Sequence, residues 1–371
     1  RYLTKVKISG GGRCNVTHAC FDPAELSRHY PRGARELKAA FHRWQPSDTV
    51  RWFETEGMAL KTEEDGRMFP TTDDSQTVVD TLIRAAQEAN VRLHPGTGVE
   101  AIRQVEGGLE LVFADRSKKF FRAVCLAGGS LKNSPLVRSI QAMGHTVEPL
   151  VPSLFALNCR DSRIVGLSGI SVPHAAVRLA GTKAWQTGPL LITHRGFSGP
   201  AILRLSAWEA RAAHEADYQF PLEIAWTGET NREKTLASLK EWADQTGKKF
   251  VKNAAPVSLP QRLWERLATA AGLDLQGQWS QVPKAALQIL AEELTAARFT
   301  ISGKTTNKEE FVTCGGVRRK EVDFRKMESR LIPHLHFAGE TLDIDGITGG
   351  FNFQAAWTTG YLAGLAMTGG A

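Results

Sequence analysis

The sequence predicts an α/β protein in which both ends of the chain form one doubly wound layered domain and the middle forms an insert. Three observations support this fold class. Apolar strand patterns that end in glycines lie in both end segments, at residues 124–129 and 335–339. Residues 150–229 show short strand patterns separated by turn residues, which is typical of a small β-barrel. Residues 230–298 show three helical patterns with apolar stripes, which predict a helical bundle.

The predicted domain boundaries lie where these patterns change. The layered domain takes residues 1–149 and 315–371, the barrel takes residues 150–229 with return strands at residues 299–314, and the bundle takes residues 230–298. Because the layered domain is made of two distant segments, the barrel and the bundle are predicted to be inserted into it.

The secondary structure predicted for the first segment comprises a strand end or turn, two helices, a hairpin, a third helix, a strand start and an antiparallel meander. The strand end or turn lies at residues 5–8, the two helices at residues 34–57 and the hairpin at residues 58–69. The third helix follows a cap at Asp73 or Asp74, and the strand start lies at residues 91–94. The meander takes residues 98–105, 109–113 and 120–127. In the insert, strand patterns lie at residues 153–159, 175–179, 185–193 and 218–226, and a helix is predicted over residues 201–213.

The composition is that of an ordinary soluble globular protein, with 371 residues of which 42% are hydrophobic and 23% charged. No apolar run is long enough to span a bilayer, and no signal-peptide pattern opens the sequence, so we expect a cytoplasmic protein without membrane partners. The five cysteines lack the paired spacing of zinc sites, which favours reduced thiols and no metal site.

The net charge of +7 is moderate, and the basic residues concentrate locally at residues 116–119, 248–252 and 318–320. Such clusters could attract nucleic acid or an acidic substrate, but a solvated surface explains them more simply. Interleaved aromatic residues and known RNA-binding motifs are not apparent in the sequence. We therefore expect a small-molecule substrate rather than a nucleic-acid partner.

Three consecutive glycines open the first candidate motif, SGGGRCN at residues 9–15. Ordering such a run costs conformational entropy, and it makes sense where the backbone must touch a flat or phosphorylated ligand. Arg13 adds a permanent positive charge, and Asn15 adds a donor and an acceptor. Cys14 is interpreted either as a reactive thiol or, more simply, as a small packing residue.

The second motif, FAGETLDIDGITGGFN at residues 337–352, combines the end of a strand, a glycine-rich turn and the start of a helix. This arrangement presents backbone N–H groups and the positive end of a helix dipole to an anionic or electron-rich ligand. The helix carries Ala356, Gly360 and Gly364 at a spacing of four, so close packing on a sheet is an equally simple explanation.

Ligands of doubly wound sheets lie at the carboxyl ends of the strands, so the glycine clusters of both segments are expected to converge on one crevice. The clusters lie at residues 10–12, 128–129, 339 and 346–350. A long, flat, doubly phosphorylated ligand such as FAD would use all four. NAD alone fits less well, because the G-x-G-x-x-G fingerprint is absent.

Five motifs, taken in order, resemble those of the YhiN/BaiN-like flavoproteins, a family of FAD-dependent oxidoreductases some of which are described as aminoacetone oxidases. They are SGGGRCN at residues 9–15, the Gly128-Gly129 pair, THRGFSGP at residues 193–200, CGGVRRKEVD at residues 314–323, and the motif at residues 337–350. The resemblance covers essentially the whole chain. It implies a glutathione-reductase-like, Rossmann-type FAD-binding domain interrupted by a β-barrel and a helical bundle.

That family begins with a βαβ unit whose glycine-rich turn holds the FAD pyrophosphate, and the sequence shows no such unit. The resemblance therefore implies an FAD-binding domain truncated at its N-terminus. We expect this chain by itself to bind FAD weakly or not at all.

The resemblance also implies which residues line the flavin site. They are Ser9, Gly10, Gly11, Gly12, Arg13, Cys14, Asn15, Ala127, Gly128, Gly129, Gly339, Glu340, Gly349, Gly350, Phe351 and Asn352. Within this set, Glu340 would suit a ribityl hydroxyl, with a solvated loop acid as the alternative. The helix start at residues 349–352 would lie near the N1–O2 edge of the flavin, where Asn352 or the neighbouring N–H groups could donate.

The expected reaction is hydride transfer through flavin N5, from NAD(P)H as a dissociable co-substrate or from a small oxidisable substrate, to an enone-like acceptor or dioxygen. The catalytic candidates are Arg13, for a phosphate or a substrate carboxylate, and His194 and Arg195, facing substrate from the barrel. A structural turn is an equally simple explanation for His194.

Two alternative functions come from other classes of protein. They are an RNA-associated flavoprotein and a non-catalytic protein without cofactor.

Overall fold

The computed structural model describes residues 3–305 and 312–369. The chain divides into two compact units. The first unit comprises residues 1–151 and 312–371, and the second comprises residues 152–311. Within the predicted return strands at residues 299–314, residues 306–311 lie outside the described residues.

The first segment contains six α-helices and eight strands among the described residues. The helices are α1 (Thr4–Ile8), α2 (Pro23–Ser27), α3 (Ala34–Phe41), α4 (Pro46–Thr55), α5 (Ser75–Glu88) and α6 (Leu136–Ala142). The strands are β1 (Thr17–His18), β2 (Leu60–Thr62), β3 (Arg67–Pro70), β4 (Val99–Val105), β5 (Gly108–Phe113), β6 (Lys118–Phe121), β7 (Val124–Leu126) and β8 (Val147–Ser153).

The predicted helix pair is confirmed as α3 and α4, and Gly57 follows α4 with the expected left-handed φ of 80°. The predicted hairpin is confirmed as β2 and β3, which pair antiparallel. Asp74, one of the two predicted caps, accepts a hydrogen bond from the Gln76 N–H at the start of α5. Local sequence signals are therefore sufficient for this part of the fold.

Three predictions for the first segment are wrong. Residues 5–8 form helix α1 rather than a strand end, because Val6 is buried in a cluster with Cys14 and Phe53. Residues 91–94 form no strand, and both Val91 and Leu93 are exposed. The predicted strand at residues 120–127 is divided between two sheets, since β6 pairs with β5 whereas β7 has its partner near the other end of the chain.

The second segment contains six strands and five α-helices among the described residues. They are β9 (Leu157–Cys159), β10 (Ser171–Leu179), β11 (Gln186–Thr193), β12 (Gly196–Ser198), α7 (Pro200–Trp208), α8 (Ala210–Glu215), β13 (Gln219–Ala225), α9 (Arg232–Gln245), α10 (Gln261–Ala270), α11 (Lys284–Ala296) and β14 (Ala297–Lys304). The strands close into a six-stranded barrel in the order β10-β11-β12-β9-β14-β13. The barrel and the three helices α9, α10 and α11 share one hydrophobic core, which includes Trp226 and Trp264.

Two predictions for this segment are corrected. The predicted strand over residues 153–159 is interrupted, because Leu154 adopts a left-handed φ of 59° between the end of β8 and the start of β9. The predicted helix over residues 201–213 consists of α7 and α8, which are separated where Glu209 leaves helical geometry.

The last segment contains β15 (Val312–Val317), β16 (Val322–Asp323), β17 (Glu328–Ser329), β18 (Leu335–Phe337) and α12 (Phe351–Met367). Strand β18 pairs in parallel with β7, in a sheet of order β16-β17-β18-β7. Consequently Gly128 and Gly339 both follow the carboxyl ends of neighbouring parallel strands. The two ends of the chain thus form one mixed α/β unit.

The small residues of α12 are not explained by close packing throughout. A Cβ added at Gly360 or Gly364 would meet no atom within 4 Å among the described residues, whereas Ala356 lies 3.5 Å from a Cβ built on Gly339. Only the first of the three predicted packing positions therefore has a neighbour in the described part of the chain.

Among the described residues, none of the helices is long and apolar enough to cross a membrane.

Candidate functional site

Two side chains from the first segment hold the turn at Gly349 and Gly350. The His18 Nδ1 lies 2.9 Å from the Gly349 carbonyl oxygen. Since that oxygen can only accept, His18 carries a proton on Nδ1. With the Asn15 amide oriented to satisfy its neighbours, its Oδ1 accepts from the Gly350 N–H at 3.0 Å and its Nδ2 donates to the Thr17 carbonyl at 2.9 Å. The structure therefore brings Asn15 together with Gly349 and Gly350.

The aromatic ring of Phe351 anchors the start of α12. It contacts two imidazole rings, with ring centroids 4.5 Å from His18 and 4.3 Å from His29. Tyr30 donates its hydroxyl proton to the Phe351 carbonyl at 2.6 Å. Because Phe351 is only 2% exposed, its side chain serves packing, and its contribution to a ligand would come from its backbone.

Burial lowers the pKa of His18, and this effect outweighs the opposing influence of the Gly349 hydrogen bond and of Asp65. The unfolded chain binds a proton at the ordinary histidine pKa of about 6.5, whereas folded His18 stays neutral to lower pH. The stabilisation is therefore complete above about pH 6.5 and is lost as the pH falls through the folded pKa.

We expect the free energy of unfolding to decrease between about pH 8 and about pH 5, and part of this loss to come from His18. His18→Asn keeps a donor for the Gly349 carbonyl and does not titrate. Urea unfolding of both proteins at the two pH values should show a smaller loss for the variant. Equal losses would contradict the assignment.

The side chain of Asn352 closes the loop that precedes α12 rather than pointing to a ligand. Its Oδ1 accepts from the Gly346 N–H and its Nδ2 donates to the Gly346 carbonyl, both at 2.9 Å. The same loop is fixed by a buried ion pair between Arg32 and Asp345. The proposed donation from the Asn352 side chain is therefore replaced by a structural role.

A second cluster surrounds Glu340, whose carboxylate is held from two sides. Lys5 Nζ lies 2.6 Å from Oε2, and the Thr313 N–H donates to Oε1 at 2.9 Å. The Thr341 hydroxyl donates to the Gly129 carbonyl at 3.2 Å. A Cβ built on Gly129 would lie 3.7 Å from the carboxylate. Glu340 is thus an ordered, partly buried acid beside the glycine pair and not a solvated loop residue.

Helix α12 connects the two clusters. Its Thr359 hydroxyl accepts from the Gly339 N–H at 2.8 Å, next to Glu340. Its Trp357 donates to the Val16 carbonyl at 2.9 Å, next to Asn15. Helix α12 therefore links Gly339 to the backbone beside Asn15. The convergence of all four glycine clusters on one crevice stays a prediction.

Other predicted site residues are engaged elsewhere. Arg13 Nη1 lies 2.7 Å from Glu63 Oε1, and its guanidinium covers the Phe69 ring at 4.0 Å. Cys14 is completely buried, and burial raises the pKa of its thiol to about 11, so the thiolate is not available at neutral pH. The simpler interpretation of Cys14 as a packing residue is the one that the structure favours.

The remaining loop glycines differ in how crowded they are. Gly10, Gly11 and Gly12 all have positive φ and lie within the short 3₁₀ turn at Ser9–Gly12. A Cβ on Gly11 or Gly12 would meet nothing within 4 Å among the described residues, whereas one on Gly10 would lie 3.1 Å from Phe69. Two of the three glycines therefore leave open space beside the backbone.

His194 and Arg195 form the exposed two-residue turn between β11 and β12 in the second unit. The Arg195 carbonyl accepts from the Cys159 N–H at 2.8 Å, which joins the turn to β9. This connection gives both residues a structural role in the barrel hairpin. Their assignment as catalytic residues stays a prediction.

Three residues that hold the candidate site were missed in the sequence: Lys5, His18 and Thr313. Each binds a residue more than twenty positions away in the chain, so no local pattern reveals the pairing.

No group of three or more histidine, cysteine or acidic side chains in the described ranges is arranged to hold a metal ion.

The site leaves backbone groups available to a ligand. A Cβ added at Gly128 would meet no atom of the described residues within 4 Å, although the φ of Gly128 is not one that demands glycine. The N–H groups of Phe351, Asn352 and Phe353, in the first turn of α12, have no hydrogen-bond partner among the described residues. The open space beside Gly128, after β7, could admit a flat group. The three N–H donors at the start of α12 could bind an electron-rich atom of that group.

The mixed α/β unit and its glycine turns at the carboxyl ends of parallel strands are those of a Rossmann-type protein. The chain belongs to the HI0933-like protein Rossmann domain family, whose model matches residues 1–366. This result confirms the resemblance to the YhiN/BaiN-like flavoproteins that the motifs indicated.

Three curated relatives are similar over nearly the whole chain. The ribosomal RNA dihydrouridine synthase of Escherichia coli K12 is 29% identical over 96% of this chain and 87% of its own length. The 3-dehydro-bile acid delta(4,6)-reductase of Clostridium scindens is 28% identical over 98% of this chain and 89% of its own length. The ribosomal RNA dihydrouridine synthase of Haemophilus influenzae is 26% identical over 98% of this chain and 89% of its own length.

Proposed function

We propose that this protein is an FAD-dependent reductase that adds two hydrogen atoms across a carbon–carbon double bond conjugated to a carbonyl group. The observation that carries the proposal is the start of α12, where three N–H groups are free beside the turn that Asn15 and His18 hold. Membership of the family supports an oxidoreductase of this kind.

The chain's residues fit the flavin in two respects. The open backbone at Gly128 leaves room for a ring or chain at the end of β7. The free N–H groups and the positive dipole end of α12 would stabilise negative charge on a ring placed above them. FAD, when bound, would supply a hydride from N5, with NAD(P)H as the dissociable reductant.

Glu340 is proposed to accept a hydrogen bond from a ribityl hydroxyl. Lys5 and the Thr313 N–H already occupy one position on each carboxylate oxygen and keep the side chain in place. An ionised carboxylate has about four lone-pair positions, so acceptor capacity remains for a sugar hydroxyl.

The type of acceptor is suggested by the names of the relatives. Dihydrouridine is uridine whose ring double bond, conjugated to a ring carbonyl, has gained two hydrogen atoms. The bile acid relative is named as a delta(4,6)-reductase, which also denotes reduction of carbon–carbon double bonds. Such a reduction balances when a hydride reaches the carbon β to the carbonyl and a proton reaches the α carbon.

The cellular setting proposed for this reaction is the cytoplasm. The proposal follows from the five cysteines, which form no disulfide in the described part of the chain, because thiols stay reduced in a compartment where NAD(P)H is available.

The test uses full-length protein whose flavin has been reduced without oxygen. We expect a conjugated enone, or RNA that contains uridine, to reoxidise the flavin and to gain two hydrogen atoms by mass spectrometry. A saturated ketone and RNA already converted to dihydrouridine serve as matched controls and should leave the flavin reduced. If dioxygen alone reoxidises it, the protein is an oxidase and the proposal is wrong.

A further inference from the structure

The structure accounts for two of the three basic clusters without an external partner. In the cluster at residues 318–320, Arg318 lies 2.6 Å from Glu148 and Arg319 lies 2.5 Å from Asp343. In the cluster at residues 116–119, Lys118 on the edge strand β6 lies 3.2 Å from Glu110. Lysines on an edge strand also discourage pairing with other chains, so they have a structural purpose there.

In the third cluster, Lys252 lies 3.9 Å from Glu265, but the two lysines at its start are different. Lys248 and Lys249 are exposed, and neither has a carboxylate within 4.0 Å among the residues that the structure describes. Phe250, directly after them, is 47% exposed. We define Lys248, Lys249 and Phe250 as the basic aromatic patch. This interleaving of lysine and an aromatic ring was missed in the sequence, where a solvated surface was favoured.

The backbone beneath the basic aromatic patch is firmly held. The Val251 N–H donates to the Gly277 carbonyl at 3.0 Å, and the Trp279 N–H donates to the Lys249 carbonyl at 3.1 Å. Val251 is fully buried, and its carbonyl accepts from the Trp264 indole at 3.1 Å. Since Val251 faces the core, the ring of Phe250 is presented outward on a rigid backbone.

We propose that the basic aromatic patch binds single-stranded RNA, with a base stacked on Phe250 and phosphates near Lys248 and Lys249. An exposed aromatic face beside unpaired cations matches the composition of a nucleotide, which joins a flat base to a phosphate. An acidic peptide would satisfy the lysines but would leave the flat ring without a matching group. The choice of RNA rests on the proposed function, because two relatives are named for modifying ribosomal RNA.

The experiment measures binding of a short fluorescent oligouridylate to full-length protein by anisotropy, without any reductant. We expect Phe250→Ala to weaken binding by about five- to tenfold, and Phe250→Trp to retain it. Lys248→Ala with Lys249→Ala should lower the slope of log affinity against log salt by about 1.4, or about 0.7 for each phosphate that is no longer neutralised. Because the three side chains lie on the surface, melting temperatures should be unchanged.

The matched control is a second site of the same composition, on β6. Phe120 is 58% exposed and also follows two lysines, Lys118 and Lys119. Phe120→Ala and Lys118→Ala with Lys119→Ala should leave affinity and salt slope unchanged. The proposal is overturned if both sites have equal effects, if Phe250→Ala changes nothing, or if polyglutamate competes as well as RNA. Since no flavin chemistry is measured, failure here leaves the reductase proposal standing.

Discussion

Replacing Gly350 with alanine is expected to abolish flavin binding and to destabilise the layered unit. Gly350 has a φ of 93°, and a Cβ there would lie 2.5 Å from the Thr17 carbonyl oxygen and 2.9 Å from the side-chain amide of Asn15. The left-handed backbone costs an alanine about 1–2 kcal/mol, and overpacking costs typically about 1–3 kcal/mol more. The turn must therefore move away from Asn15, and the first N–H groups of α12 move with it.

The measurement compares the visible flavin absorbance and the melting temperature of the full-length protein and the variant. Gly107→Ala is the matched control, because Gly107 has a φ of 74° and nothing lies within 4 Å of an added Cβ in the described structure. The control should lose stability by the backbone effect alone and should keep its flavin. A variant at Gly350 that retains stoichiometric flavin would refute the role of this turn.

Replacing Asp345 with asparagine is expected to cost about 3–5 kcal/mol of folding free energy, since it removes the negative charge that is paired with a buried guanidinium. The Asp345 side chain is fully buried, and the side chain of its partner Arg32 is 9% exposed. The same ion pair fixes the loop that Asn352 closes, so the loop should open more readily. Urea unfolding measures the free energy, and hydrogen exchange of residues 343–352 measures the opening.

Two further variants make this second prediction specific. Arg32→Met combined with Asp345→Leu removes both charges, and it should recover much of the stability. Arg28→Ala removes an exposed pair with Glu25, whose side chains are 74% and 53% exposed, and should cost less than about 0.5 kcal/mol. If the Asp345 and Arg28 variants lose equal stability, the buried pair does not organise this loop.

The elements that the sequence predicted well are those with local signals. The pair α3 and α4, the hairpin β2–β3 and the glycine turn before α12 follow from periodicity, caps and turn residues. Strand β7 was assigned to the neighbouring meander because its partner, β18, lies more than two hundred residues later. Helix α1 was missed because its burial depends on residues outside its own pattern.

The candidate site shows the same division. The glycines at 128–129, 339 and 349–350 were identified in the sequence because unusual backbone requires an unusual residue. The side chains that hold them, Lys5, His18 and Thr313, are ordinary residues whose role depends on tertiary contacts. Arg13 was identified by its charge, yet that charge is directed to Glu63. Residue type alone does not show where a side chain points.

The most direct test of the central claim is single-turnover reoxidation of the reduced full-length protein under anaerobic conditions. We expect that a conjugated enone or uridine-containing RNA restores the oxidised flavin spectrum and gains two hydrogen atoms per flavin. The Gly350→Ala variant, which should lack the flavin, is expected to give no such signal. A wild-type flavin that stays reduced with both acceptors, and is reoxidised only by dioxygen, would contradict the claim.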